Sequence, residues 1–566
     1  MSEFFQQSIP ARVFRASRPA SKTLARRTLI LGAAGALIGI AGCGSNLRPT
    51  VTPIVGTGPA SQPASNVFVI SAPTSSPTAP GYGTVIDYAG DTTMASAPIG
   101  PGPAAFALNG GGTEAWTVNV DGTVSNIPVS TQLQAKQIAY STLNEIPAVG
   151  TPTDPAGINP VVALYGGSLG LYALDANLNE MDVLTGSPDA FKLDVPVDQS
   201  PVTMVHVAGA SRAFVISQNI PYLTPFAIPG GSTVDGGVAC TVAPHSVGTS
   251  GFADGIETAT YTVSSHIPVG VCPDYAIGSP DTRRIFVLNR GSDTISVINS
   301  QFNTLDQCTP FLNQNGQKVT CHACLPLSTA AISADCPAPP NGAAGLPAVA
   351  GPVYAEFNPA TEQIVVSNYD GNTVSIIDVA LDEYGNDSNT YDASGNLNGG
   401  FGTTYTVPVG KNPASVTVLA DGSRAYSANQ TDGTVSVINM VSHTVETTLP
   451  VTGNPRSVVS TQNSLYGKIY VVSPNSPFIT IIRTDQDIID TTVLVQGNAV
   501  DVRVQSPNAS GSNANLVSRL PGAGQPCNLP LTAFSATAPV TLANCKAQDP
   551  SLLTSAALST AVHRAQ

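Results

Sequence analysis

QIVVSNYDGNTVSIID, residues 363–378, decides the fold. Two hydrophobic runs of strand-forming residues flank a turn of Asp, Gly and Asn, which reads as strand, tight turn, strand. The phrase returns at 284–299 (RIFVLNRGSDTISVIN) and at 424–439 (RAYSANQTDGTVSVIN). Each copy ends its first strand on an asparagine: Asn289, Asn368 and Asn429. Each opens its second strand on a threonine (Thr294, Thr373, Thr434), with a serine two residues later.

A fuller unit runs over 407–450 and holds four strands, at 414–419, 424–429, 434–439 and 444–449. Four antiparallel strands in so short a unit predict a propeller blade. Eight such units follow along the chain, at 66–98, 102–142, 159–197, 200–267, 268–350, 351–408, 409–450 and 451–495. The first lacks an initial strand. The segment 497–504 (GNAVDVRV) has the pattern to supply it, which would leave no free sheet edge.

The repeat, with its strand Tyr470-Val471-Val472-Ser473, resembles the YVTN family of β-propeller repeats, most closely over 267–300 and 350–495. The resemblance implies an all-β fold, a single propeller of four-stranded blades. By family it implies seven blades, against the eight counted. Some propellers of related sequence resemble sugar-lactone hydrolases, which keeps a hydrolase at the channel mouth as an alternative.

Composition agrees with turns and strands. Among 566 residues there are 52 Gly and 47 Pro, while only 11% are charged. Residues 1–42 hold six of the 23 basic residues and one of the 37 acidic ones, so the rest of the chain is strongly acidic. That charge repels phosphate backbones, and no nucleic-acid partner is expected.

Residues 1–42 read as an export signal: Arg26 and Arg27, then a short apolar run, then small residues. Arg26-Arg27-Thr28-Leu29-Ile30 resembles a twin-arginine signal, and Ile40-Ala41-Gly42-Cys43 resembles a bacterial lipobox. Lipidation of Cys43 would tie the protein to a membrane in the cell envelope, facing the periplasm or exterior. The domain plan is then signal at 1–42, lipidated Cys and flexible tether at 43–65, propeller at 66–506, and a C-terminal segment at 507–566. That last segment holds a linker, a cysteine pair and a short helix after Asp549-Pro550.

Three long insertions are expected within the propeller, at about 229–257, 300–349 and 381–402. They fall mostly after a third strand, in adjacent units, and should form one patch. The turns between second and third strands share the opposite face with the loops that join blades. This gives a binding face of Asn289, Arg290, Asn368, Tyr369, Lys411, Asn412, Asn429 and Arg456. The commoner role for such residues is turn chemistry and solvated charge.

Beyond Cys43, eight cysteines remain: Cys240, Cys272, Cys308, Cys321, Cys324, Cys336, Cys527 and Cys545. An even number in an oxidising setting predicts disulfides, with connectivity open, although Cys527 and Cys545 suit one another. Cys321-His322-Ala323-Cys324 is not a haem attachment site, because Leu325 follows the second cysteine. With Cys308 and Cys336 it has ligands enough for a tetrahedral metal, but the exported setting favours disulfides. The six histidines are scattered, too few for a copper cluster. Asp392-Ala-Ser-Gly-Asn-Leu-Asn-Gly399 suits an Asx turn better than calcium, since a closing glutamate is missing. Motifs for a nucleotide, a zinc protease or a serine hydrolase are absent. The expectation is a monomeric binding scaffold without cofactor or metal, its partner a protein or small molecule. The alternative is an extracytoplasmic hydrolase or oxidoreductase.

Overall fold

The computed structural model describes residues 66–505 apart from 74–78, 88–89, 104, 109–114, 119–123, 128–140, 144–159, 166–170, 176–178, 187–188, 208–211, 220–248, 313–317, 359, 383 and 462–466. The signal, Cys43, the tether, the C-terminal segment, Cys240, Cys527 and Cys545 lie outside the described residues.

Among the described residues every regular element is a strand, and the fold is an all-β propeller. Among the described residues eight antiparallel sheets of four or more strands follow one another. The first is built from Asn66–Ala72, Pro80–Asp87 and Thr92–Pro101, with Asn498–Gln505 beside Asn66–Ala72. That last pairing joins the two ends of the described chain, with Val67 opposite Val504 and Val69 opposite Val502.

The innermost strand of each sheet lies beside that of the next. The order runs from Asn498–Gln505 through Ala105–Leu108, Pro160–Tyr165, Pro201–Val207, Pro273–Gly278, Pro352–Asn358, Pro413–Val418 and Ser457–Ser460, and back to Asn498–Gln505. Five of these strands open on proline, and each carries a register shift right after it. Proline donates no hydrogen bond, so it suits the first residue of a strand at a sheet's edge.

The apolar clusters sit between neighbouring sheets. Phe286, Leu288 and Val297 on the fifth sheet meet Ile364 and Val366 on the sixth, and Val365 and Ile376 on the sixth meet Val416 and Ile438 on the seventh. Tyr470 and Ile481 on the eighth meet Val67 and Val502 on the first. A middle strand is therefore covered on both faces. Arg284–Asn289, Thr294–Asn299 and Gln363–Asn368 are buried at every position, while the outer strand Thr444–Pro450 alternates. This is why the repeat reads as near-continuous apolar runs rather than strict alternation.

One insertion differs from the expectation, and a second interrupts its sheet's outer strand. Ser250–Glu257 is the third strand of the fourth sheet, so 218–249 joins its second and third strands instead of following the third. In the fifth sheet the outer strand comes in two pieces. Thr304–Leu305 pairs with Ile298 and Asn299, and Cys324–Pro326 pairs with Thr294, Ile295 and Ser296. One excursion leaves and re-enters this edge between Leu305 and Cys324, and a second runs from Pro326 to the sixth sheet. The 300–349 and 381–402 insertions follow third strands as expected, Thr294–Asn299 and Thr373–Asp378.

Candidate binding surface

The repeated asparagines hold their own hairpins. Asn289 Nδ2 donates to Thr294 Oγ1 and Ser296 Oγ at 3.1 and 3.0 Å. Asn368 does the same to Thr373 and Ser375, and Asn429 to Thr434 and Ser436. One amide satisfies two hydroxyls across the turn, which accounts for the spacing of Asn, Thr and Ser in the repeat. All three asparagines are 0% exposed, so they do not belong to a binding face. The residue before each threonine takes a positive φ: Asp293, Asn372 and Gly433. These residue types tolerate that backbone at least cost.

The other residues of the expected face brace one sheet to the next. Arg290 forms a two-pronged pair with Asp370, 3.0 and 3.1 Å, and its guanidinium lies over the Tyr369 ring. Tyr369 Oη donates to Gln430. Asn412 receives a hydrogen bond from Thr431 and donates to the Tyr369 carbonyl. The Arg456 carbonyl accepts from Ser415, and the side chain is half-buried. Lys411 alone stays exposed, with its backbone N–H bound to Asp432. The same clamp recurs at Asp293, whose carboxylate accepts from the N–H groups of Ala350 and Gly351. At Asp293, and at Asn372, which accepts from the Asn412 N–H, the turn grips the loop entering the following sheet.

The insertions of the fifth and sixth sheets are knit together. Cys308 pairs with Cys321 and Cys324 with Cys336. The first bridge closes the excursion where it leaves and re-enters the sheet edge. The two bridges consume all four thiols, so the tetrahedral metal considered for this cluster has no ligands. Cys272 is also disulfide-bonded.

His322, between two of these cysteines, turns away from solvent. Its backbone N–H and its Nδ1 both meet Asp387 Oδ2, at 2.9 and 2.7 Å, and its ring stacks on Phe401. Asn389 donates to the Thr320 carbonyl, and Asn341 to that of Thr404. Below them Arg284 binds Asp306 at 2.8 Å and the Gly385 carbonyl at 3.1 Å. Burial raises the Asp306 carboxyl, with Arg284 pulling the other way. Leu325, Leu327 and Phe401 enter the apolar cluster between the two sheets, so the insertions extend the core.

The insertions carry exposed apolar side chains and acidic turns. Phe302 (70% exposed), Leu312 (69%), Phe311 and Tyr384 are exposed. Asp382 and Asp392 each close a turn, receiving N–H groups from residues two and four further on. At Asp392 both carboxylate oxygens are engaged by Ser394 and Asn396, which is the Asx turn the sequence favoured over calcium. Sequence reasoning found these insertions but not His322, Asp387, Arg284 or Phe401 as the residues that join them. The nearest signal was the histidine inside a closely spaced cysteine pair.

A third group sits on innermost strands. The rings of Tyr275 and Tyr354 are 4.6 Å apart. Burial raises the Tyr354 phenol above its usual range, with Tyr275 and Glu356 adding to that and Arg503 opposing it. Glu356 is 0% exposed, and Arg503 binds Asp501 at 2.7 Å.

No protein-family model matches the chain, and no curated protein matches it. Among solved structures it is similar to AztD of Citrobacter koseri, at 12% identity and a TM-score of 0.46, over 79% of this chain and 98% of that one. It is similar to the dihydro-heme d1 dehydrogenase NirN in complex with DHE, at 11% identity and 0.47, over 81% and 78%. It is also similar to the periplasmic gluconolactonase PpgL of Pseudomonas aeruginosa, at 12% and 0.40, over 78% and 99%. At identities and scores this low the likeness says nothing of activity.

Proposed function

We propose that the protein is a binding scaffold, lipid-anchored through Cys43 at the outside of a bacterial membrane, that captures a protein partner on the paired insertions. The observation that carries this reading is the insertion body itself. Two excursions from adjacent sheets are held by two disulfides and a buried His322–Asp387 contact, and they present Phe302, Phe311, Leu312 and Tyr384 outward. Rigid support under exposed aromatic and aliphatic side chains lowers the entropy lost on binding. The acidic turns at Asp382 and Asp392 on the same insertions favour a partner surface that is apolar and basic. A hydrolase at the centre of the ring has less behind it, because Glu356 on an innermost strand is closed off from solvent.

The test is site-specific photo-cross-linking in the native host at Leu312, with Val441 as the comparison, since it is 85% exposed on the seventh sheet. A discrete protein adduct at Leu312, absent at Val441 and lost with Phe302→Ser, is the expected result. No adduct at Leu312, or the same adducts at both positions, sinks the reading.

A further inference from the structure

Three ligand-bearing side chains meet on the fourth sheet, remote in sequence from the insertion body. Asp254 lies on the third strand, Ser250–Glu257, and His266 directly opposite it on the outer strand, Thr262–Val271. Asp198 comes from the segment that leads into Pro201–Val207, and its N–H donates to Asp254 Oδ2 at 2.8 Å. His266 Nδ1 is 2.6 Å from Asp198 Oδ2 and 3.0 Å from Asp254 Oδ1. One ligand atom from each residue lies within 4.8 Å of the others. Phe252, on the same strand as Asp254, stacks on the imidazole at 4.0 Å and holds its plane. Asp254 is 2% exposed, whereas the His266 side chain is 52% exposed.

The hydrogen bonds do not close this group. An imidazole nitrogen carries one proton at most. Asp254 Oδ1 is aligned to share it, and Asp198 Oδ2 is buried at the same nitrogen without a hydrogen-bond donor. Two carboxylates therefore converge on at most one positive charge. Protein carboxylates packed this way are relieved by a cation placed between them.

We propose that Asp198, Asp254 and His266 bind a divalent transition-metal ion, zinc foremost. One imidazole with two carboxylates is a borderline donor set, suited to zinc rather than to calcium, which prefers oxygen ligands alone. Three protein ligands leave a fourth position, and the exposed side of His266 leaves it to water. The ligand atoms need only move apart by tenths of an ångström for bonds of about 2.0–2.2 Å to one centre. Phe252 would then fix the ring's orientation, as an outer contact commonly does for a ligating histidine.

The test uses the full chain purified in detergent, stripped with chelator and titrated with zinc chloride by calorimetry. The wild type is expected to take up one equivalent, with a rise in melting temperature. His266→Ala and Asp254→Asn should each weaken binding by at least about tenfold. His322→Ala, at the other histidine–aspartate contact, should leave zinc binding unchanged. Cobalt in place of zinc should give visible absorption that His266→Ala abolishes. Should Asp254→Asn fail to fold, His266→Ala still decides, because its half-exposed side chain lies on an outermost strand. No saturable zinc in the wild type, or unaltered uptake by His266→Ala, overturns the proposal.

Discussion

The turn end of the fifth to seventh sheets and the insertion body of the fifth and sixth are built by opposite rules. At the turn end one local device repeats. An asparagine bonds a threonine and a serine, the next residue but three takes a positive φ, and its side chain or a neighbour's holds the incoming loop. In the insertion body the contacts that join distant segments do not repeat. Each of these is made once, between residues as distant as His322 and Asp387 or Asn341 and Thr404. Repetition along this chain marks what every sheet needs to stand beside its neighbours. A feature that occurs once is what one sheet pair has and the others lack, and that is where recognition is to be sought.

The comparison is tested hardest at Phe401, which is fully buried between the fifth and sixth sheets and lies under His322. Phe401→Ala should cost about 3–5 kcal/mol in denaturant unfolding, because it opens a cavity where the insertions join the core. It should also raise hydrogen exchange throughout 318–349 more than in the seventh sheet. A loss below about 1 kcal/mol, with exchange unchanged, would mean that the insertions rest on the propeller without sharing its core.

Asn368→Ala belongs to the other region and should behave differently. It leaves the buried hydroxyls of Thr373 and Ser375 without their donor, at a cost of about 1–3 kcal/mol. The cross-link at Leu312 should persist in this variant. If Asn368→Ala abolished the adduct while leaving the melting temperature alone, the turn end would be the recognition face after all.

How much of this was legible in the sequence depends on the range of the interaction. The hairpins could be read because Asn368, Thr373 and Ser375 lie within eight residues, and the apolar runs show directly that both faces of the strand are covered. The same closeness misled, since the regular asparagines look like an exposed face until their burial is known. The third strand of the fourth sheet reads as insertion because its sequence, SGFADGIE, holds two glycines and two acids. The prolines that open five innermost strands were a usable signal for unit starts. The meeting of Asp198 with Asp254, 56 residues on, had none, because it depends on how the fourth sheet's third strand, itself read as insertion, pairs beside the segment that enters the sheet.

The smallest expected effect lies where the seventh sheet touches the sixth, at His443. It follows the strand Thr434–Asn439 in a turn with φ of 55°, and its ring stacks on Tyr405 at 3.9 Å. Burial holds its imidazolium below the usual histidine range, although Asp378 opposes this. The folded protein therefore takes up this proton less readily than the unfolded chain. Above the unfolded value of about 6.5 the group contributes nothing, and as pH falls through that value toward the folded one it costs stability. Asparagine tolerates the same backbone and does not titrate. His443→Asn should thus gain on the wild type as the pH of denaturant unfolding is lowered from about 7.5 to about 5.5. A gap that stays constant, or that moves in favour of the wild type, would show that the attraction of Asp378 outweighs burial. The contact would then be an ion pair, like Arg290 with Asp370 at the turn end, and the two ends of the sheets would be joined by the same means.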